Sequence, residues 1–303
     1  MSILVVGAIH HDVIVDAPRL PREDETLPGT GVRYAFGGKG GNQAVAAGRL
    51  GRSMGVPVVM AACIGRDGQG DHALTTLEQA GVDIRAIQRV DTPSGMSVAL
   101  SLPDGSYGAV IVSASNLSLD PARIELPDRL DWLVLQNELP HTTNRQVARR
   151  AKQAGARILH NAAPARGSPN EGSVHADIMV VNRVEAADML GIGQSDCDPE
   201  QAAATLRDRF ACDIVLTLGA NGVVIADDTV AALPAHPVAV ISAHGAGDAF
   251  VGALAVQLAR GAPLVDASVF ANAAGALHVS TPVDDRGRIT NDAIAILAQT
   301  SSR

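Results

Sequence analysis

Trp132-Leu133-Val134-Leu135-Gln136, then a helix-period stretch over Thr142–Ala154, then Arg157-Ile158-Leu159-His160, is the most telling segment of this 303-residue chain. Two short apolar runs without polar alternation flank a segment whose apolar residues recur at helical spacing. A strand apolar throughout is covered on both faces, as in a parallel sheet with helices on either side. Further strand-like runs occur at Ile3–Val6, Val58–Cys63, Asp177–Val181, Ile214–Leu218 and Val223–Ala226. Helical candidates fall at Asn42–Leu50, Asp71–Ala80, Gln201–Phe210, Ala246–Ala259 and Leu264–Val279. The pattern predicts one doubly wound, mostly parallel α/β domain over residues 1–303, since no linker, charge run or internal repeat divides it.

Two stretches depart from that rhythm. Val13–Val15 with Tyr34–Phe36, and Met96–Leu102 with Tyr107–Val112, read as strands with no helix between them. Pro103-Asp104-Gly105-Ser106 supplies hairpin chemistry between the second pair. The expectation is a small antiparallel sheet, contributed by segments 12–36 and 95–113, covering the carboxyl ends of the main strands. Open α/β sheets bind their ligands there.

Composition excludes several classes. Twenty-four Lys and Arg against 32 Asp and Glu give a formal charge of −8, with no basic excess to displace phosphate counterions. One Trp, two Tyr and four Phe make a poor base-stacking platform, so nucleic acid is not an expected partner. Three scattered cysteines form no C-x-x-C pair, and the nine histidines show no H-E-x-x-H spacing, which gives no zinc site and fits a reducing compartment. The apolar start lacks a basic leader region and is interrupted at His10-His11-Asp12, so a soluble cytoplasmic protein is expected.

Two glycine-rich segments can hold polar ligands. Phe36-Gly37-Gly38-Lys39-Gly40-Gly41-Asn42-Gln43 lets the backbone approach a bound molecule, or simply permits close packing at a helix start. It is neither a P-loop nor G-x-G-x-x-G, because Arg33, Gly40 and Gln43 stand at required positions. In Ser242-Ala243-His244-Gly245-Ala246-Gly247-Asp248, amides at a helix N-terminus can collect an anion while Asp248 sits in the first turn. A carboxylate beside an anion hole suits phosphoryl transfer, with Asp248 accepting the proton of an attacking hydroxyl. Asn182-Arg183-Val184-Glu185 follows a strand and offers either a water-rich Mg²⁺ site or an ordinary helix cap. Thr217-Leu218-Gly219-Ala220-Asn221-Gly222 is a nucleotide-approaching turn or a plain hairpin.

In this order, the segments at 35–49, 182–185 and 242–248 resemble the signatures of the ribokinase-like family of carbohydrate kinases, over roughly Ile3 to Val279. The resemblance implies a three-layer α/β/α fold, with a mostly parallel central sheet and a small β-sheet lid that commonly serves dimerisation. It implies ATP as donor, Mg²⁺, and transfer to a primary hydroxyl of a small sugar, D-ribose first, with nucleosides, hexoses and other polyols as alternatives. By the same resemblance Asp248 is the base and Gly245, Ala246 and Gly247 form the anion hole. Asp12, Gly38, Lys39, Asn42 and Glu138 line the sugar pocket. Thr217, Gly219, Gly222 and Asn272, together with Asn182, meet the nucleotide, and Glu185 with Asn182 serves the magnesium site. His10 stands where the family usually has asparagine, and either reshapes the pocket or packs under the lid. Ser242 replaces an aspartate that commonly ligates an activating monovalent cation, so potassium dependence is expected to be weak or absent. A non-catalytic binder on the same fold is the alternative from another class, and a nicotinamide dehydrogenase fails for want of G-x-G-x-x-G after the first strand.

Overall fold

A computed structural model describes residues 1–103, 107–165 and 174–300. In chain order its elements begin with β1 (Ile3–Val6), β2 (His10–Asp16), β3 (Gly31–Gly37), α1 (Lys39–Met54), β4 (Val58–Ala61), β5 (Cys63–Gly65), α2 (Gly68–Gln79), β6 (Val82–Asp83) and β7 (Gln88–Val90). There follow β8 (Met96–Ser101), β9 (Tyr107–Val112), β10 (Trp132–Gln136), α3 (His141–Gln153), β11 (Arg157–Asn161), β12 (Ile178–Asn182) and α4 (Arg183–Leu190). The chain ends with α5 (Pro199–Phe210), β13 (Asp213–Thr217), β14 (Val223–Ala226), β15 (Val230–Leu233), α6 (Ala246–Ala259), α7 (Leu264–Ser280) and α8 (Asn291–Thr300).

Nine strands form the main sheet in the order β15-β14-β13-β12-β11-β10-β1-β4-β6. Neighbours from β13 to β6 run parallel; β14 and β15 add an antiparallel edge. Every residue of β1, β10 and β14 is buried, which is why those runs show no polar alternation. Ile3 and Val5 face a core shared with α1, α2, α6, α7 and α8. Leu4 and Val6 face a second core under α3, and a third lies under α4 and α5. The three-layer α/β/α expectation is met.

The elements α6 and α7 are apolar on all sides, and nearly all of α6 is buried. Glycine sets its approach to α1: a Cβ at Gly252 would stand 2.6 Å from Ala46 Cβ and 2.8 Å from the Ala47 nitrogen. That contact brings the first turn of α6 alongside the first turn of α1.

A second sheet has the order β3-β2-β8-β9. The expected all-antiparallel lid is corrected here: β2–β3 and β8–β9 are antiparallel, but the two hairpins join through a parallel β2–β8 pair. A hairpin fixes only its own two strands as antiparallel, and the long crossover through α1, α2 and their strands allows the parallel join. Asp104 to Ser106 of the expected turn lie outside the described residues. The apolar run 58–63 is split at Ala62, whose carbonyl accepts from Gln88 N, sending Cys63–Gly65 into a separate pairing with β7. Helix α8 and strands β6, β7 and β15 were not among the expected elements, and of α4 only the cap at Asn182–Glu185 was.

Candidate active site

The carboxyl ends of β1, β10, β12 and β13 lie along one edge of the main sheet, because these strands run parallel, and the expected residues divide among them. Helix α1 begins three residues before its predicted start, directly after Gly38, whose φ of 84° and ψ of 134° suit only glycine. Gly40 is inside the helix because a Cβ there would stand 2.6 Å from the Gly7 backbone. The close-packing alternative for this segment is thus met at Gly38 and Gly40. Lys39 N donates to Glu138 Oε2 at 2.7 Å, which ties the helix start to the loop after β10.

Asp248 lies in the first turn of α6, opposite that start. Its two oxygens accept from Asn42 Nδ2 at 3.1 Å and Gln43 Nε2 at 3.0 Å. Gln43 is fully buried and accepts from Gln136 Nε2 at 2.7 Å, and Asn144 Nδ2 donates to the Gln136 carbonyl. The sequence reading missed Gln43 and Gln136 as site residues, because a buried glutamine inside a glycine-rich run carries no chemistry until its partner is known. Burial pushes the Asp248 carboxyl above the ordinary aspartate range, while the Lys39 ammonium and the two amide donors pull it down.

Lys39 stands near three carboxylates, those of Asp248, Glu138 and Glu185. Burial raises Glu138 to about 7, opposed by the Lys39 amide and ammonium and reinforced by Asp248 and Asp12. Asp12 is buried on the inner face of the second sheet, opposite Ala35, and burial raises its carboxyl too, against the pull of His244 and His11. Thus Asp12, Lys39, Asn42, Glu138 and Asp248 form one cluster. His244, also missed, faces both Asp12 and Asp248.

Gly245 is the N-cap of α6 in the left-handed conformation, and Gly247 has open space where a Cβ would be. Among the described residues the Gly247 N–H has no main-chain acceptor, whereas Ala246 N bonds to the Ala243 carbonyl at 3.2 Å. The Gly245, Ala246 and Gly247 amides of the expected anion hole thus sit together at the N-terminus of α6, with Ala246 N bonded back to the preceding loop.

The remaining residues lie further along the same sheet edge. Asn182 and Thr217 are register partners at the ends of β12 and β13. Asn182 and Glu185 form a reciprocal capping box: Glu185 N donates to Asn182 Oδ1 at 2.9 Å, and Asn182 N to Glu185 Oε2 at 2.8 Å. That is the helix-cap alternative, and it leaves Glu185 Oε1 outside the box. Burial raises the Glu185 carboxyl. Among the described residues no three His, Cys, Asp or Glu gather into a metal cage. One spare carboxylate oxygen suits a magnesium ion held chiefly by water and phosphate, and not one enclosed by protein.

Gly219 opens to free space at φ 58°, while Gly222 packs against Leu233 O, where a Cβ has no room. Asn272 Nδ2 donates to Pro234 O at 2.8 Å, so Asn272 and Gly222 border the same 233–235 loop. His10 is buried, with Nε2 unpartnered among the described residues, and lines a small cavity with Gln69, His72 and Ser94. Desolvation holds its imidazole below the usual range. Asn116 brackets Ile9, accepting from its N–H and donating to its carbonyl, and so fixes the junction between β1 and β2.

This arrangement suits a phosphotransferase that acts on a hydroxyl group. The sequence gives the family: the chain belongs to the pfkB family of carbohydrate kinases, whose profile matches residues 1–286. Among curated relatives, the ribokinase of Bacillus subtilis is 31% identical over 283 residues, covering 92% of each chain. The deoxyribokinase of Salmonella typhi is 30% identical over 263 residues, covering 84% of this chain and 85% of its own. The structure of Arabidopsis thaliana ribokinase complexed with ribose and ATP superimposes with a TM-score of 0.84 at 25% identity, covering 98% of each chain.

Proposed function

We propose that this kinase transfers the γ-phosphoryl group of ATP, with Mg²⁺, to the primary hydroxyl of a small sugar, D-ribose first. The observation that carries the reading is the Asp248 carboxylate, fixed by Asn42 and Gln43 beside the glycine amides of α6. Asp12, Asn42 and Glu138 would hold the sugar hydroxyls. Asp248 would take the proton from the attacking oxygen, and the Gly245 and Gly247 amides would stabilise charge on the phosphoryl group. The second sheet serves as a lid that excludes water from the transfer. Thr217, Gly219, Gly222 and Asn272 would border the nucleotide. Glu185, with Asn182 ordering it, would hold the magnesium ion, which neutralises phosphate charge when bound.

The test is an ADP-release screen with ribose, 2-deoxyribose, hexoses and nucleosides. Ribose is expected to give the highest kcat/KM. Faster turnover of 2-deoxyribose would move the assignment toward the activity named for the Salmonella relative, and preference for a nucleoside would overturn the pentose reading.

Glu138 sets an expected pH dependence. With its carboxyl near 7, the ionised acceptor form is lost as pH falls through neutrality. The KM for the sugar should rise roughly tenfold between about pH 8 and pH 5.5, the size of one charge-assisted hydrogen bond. Glu138→Gln should flatten that slope. Because the folded state holds this proton more tightly than the unfolded chain, the same group favours folding least above pH 7.

Glu185→Gln should raise the magnesium requirement about tenfold, more than it raises the sugar KM, because Gln can keep the capping box while removing the charge. Magnesium titrations at saturating sugar measure this. The opposite pattern would move the metal elsewhere.

The outer face of the lid supports a homodimer. The row Tyr34, Val13, Val98 and Val110 runs across all four strands in register, and Tyr34 and Val110 are 66% and 67% exposed. An exposed apolar stripe of this kind suits contact with another protein surface, here a second copy of the chain. Val110→Asp should yield monomers in sedimentation, whereas an unchanged mass would remove this face from the interface. Use of ATP fits a cytoplasmic enzyme, as do three buried free cysteines. Among the described residues no helix is long and apolar enough to cross a membrane.

A further inference from the structure

Arg286 lies in the turn Val283–Arg288 after α7, outside the segments assigned to sugar, nucleotide or magnesium. Its guanidinium nonetheless reaches back to the loop that leads into α6. Nη2 donates to Ser242 O at 2.9 Å, Nη1 to His244 O at 3.1 Å, and Nε to Thr281 O at 3.4 Å. All three partners are main-chain carbonyls. The His244 carbonyl also lies 3.0 Å from His278 Nε2, on α7. Main-chain bonds from Ile241 N and Ser242 N to Val279 O complete the tie between this loop and the end of α7.

The consequence follows from peptide geometry. In a trans peptide the C=O of one residue and the N–H of the next point in opposite directions. Drawing the His244 carbonyl toward Arg286 therefore turns the Gly245 N–H the other way, toward the cup beside Asp248. At φ 77°, Gly245 is free to adopt either orientation at little cost, so the carbonyl contact selects one. Several carbonyl oxygens converging on one point also make a negative electrostatic focus, which a fixed positive charge satisfies.

We infer that Arg286 is a positioning residue: its guanidinium is a built-in cation that holds the Ser242–His244 carbonyls and so pre-aims the Gly245 amide for the phosphoryl group. This rests on the phosphotransferase reading of the Asp248 cup. It also accounts for the expected weak potassium dependence, because the carbonyls already have their cation.

The test compares Arg286→Ala, Arg286→Lys and wild type in steady-state turnover, each with and without millimolar guanidinium chloride or KCl. Arg288→Ala, which breaks an exposed Arg288–Asp285 pair, is the control. Arg286→Ala is expected to lose about tenfold to a hundredfold in kcat with little change in sugar KM, as for an interaction that matters at the transition state. Added guanidinium or K⁺ should restore several-fold of that loss while leaving wild type and Arg288→Ala unchanged, and Arg286→Lys should retain an intermediate rate. A folded Arg286→Ala with kcat within about twofold of wild type overturns the inference. So does an inactive one that neither added cation nor the lysine variant restores, since that loss would be structural. Absence of turnover in wild type with every acceptor would instead count against the phosphotransferase reading.

Discussion

Asp248→Asn should reduce turnover about a thousandfold, within the range that one positioned proton acceptor contributes. The substitution is nearly isosteric, so the loss isolates the base from the shape of the site. Asp248 Oδ1 and Oδ2 each accept from an amide side chain, and an asparagine can keep the bond from Gln43 while Asn42 turns its own amide to accept from the other. Nucleotide affinity, set along β12, β13 and the 233–235 loop, should stay within about twofold of wild type, a difference well under 1 kcal/mol. The variant should also be at least as stable. A carboxyl raised by burial makes the ionised form costly in the folded state, so stability falls as pH rises through that pKa. Removing the charge removes this cost at neutral pH. A large drop in melting temperature would show that Asp248 is chiefly structural.

Gly38→Ala should cost about 2–4 kcal/mol, from disallowed backbone dihedrals together with steric overlap. The added methyl would lie 2.6 Å from the Ala8 carbonyl and 2.9 Å from His10 N, both main-chain atoms that cannot move aside independently. In a protein of this size the melting temperature should fall by roughly 5–10 °C. Gly55→Ala separates the two contributions: its φ is also positive, at 70°, but nothing lies within 4 Å of the new methyl. It should cost only about 1 kcal/mol. Because Gly38 links β3 to α1, its replacement should also weaken sugar binding, which Gly55→Ala should leave intact. Equal destabilisation by the two alanines would mean that the close approach of the 7–10 backbone to Gly38 is not a constraint.

Much of this was legible in the sequence, and the reasons differ by element. Buried parallel strands announce themselves as unbroken apolar runs, so Trp132–Gln136 and Val223–Ala226 coincide with β10 and β14 residue for residue. Helix α6 does as well, because its apolar length and glycine cap leave no ambiguity. The direction of the β2–β8 join was not legible, since alternation in a strand says nothing about its neighbour's polarity. The start of α1 was also misplaced: the Gly40-Gly41 pair reads as a turn until the backbone of Gly7 is found against it. Within the site, Asp248 could be singled out by residue type and position, and Asn42 and Asp12 by the family resemblance. Gln43, Gln136 and Arg286 could not, because their roles consist entirely of hydrogen bonds to residues distant in sequence.

The central claim is that the Asp248 carboxylate and the glycine amides together deliver a phosphoryl group to a sugar's primary hydroxyl. Incubating the protein with ATP, magnesium and ¹³C-labelled ribose, and following the carbon and phosphorus resonances by NMR, tests it most directly. The account predicts ribose-dependent formation of ADP with phosphorus coupling confined to C5 and its neighbour C4. Phosphate on the anomeric carbon, or ADP released at the same rate without any sugar ester, would contradict it.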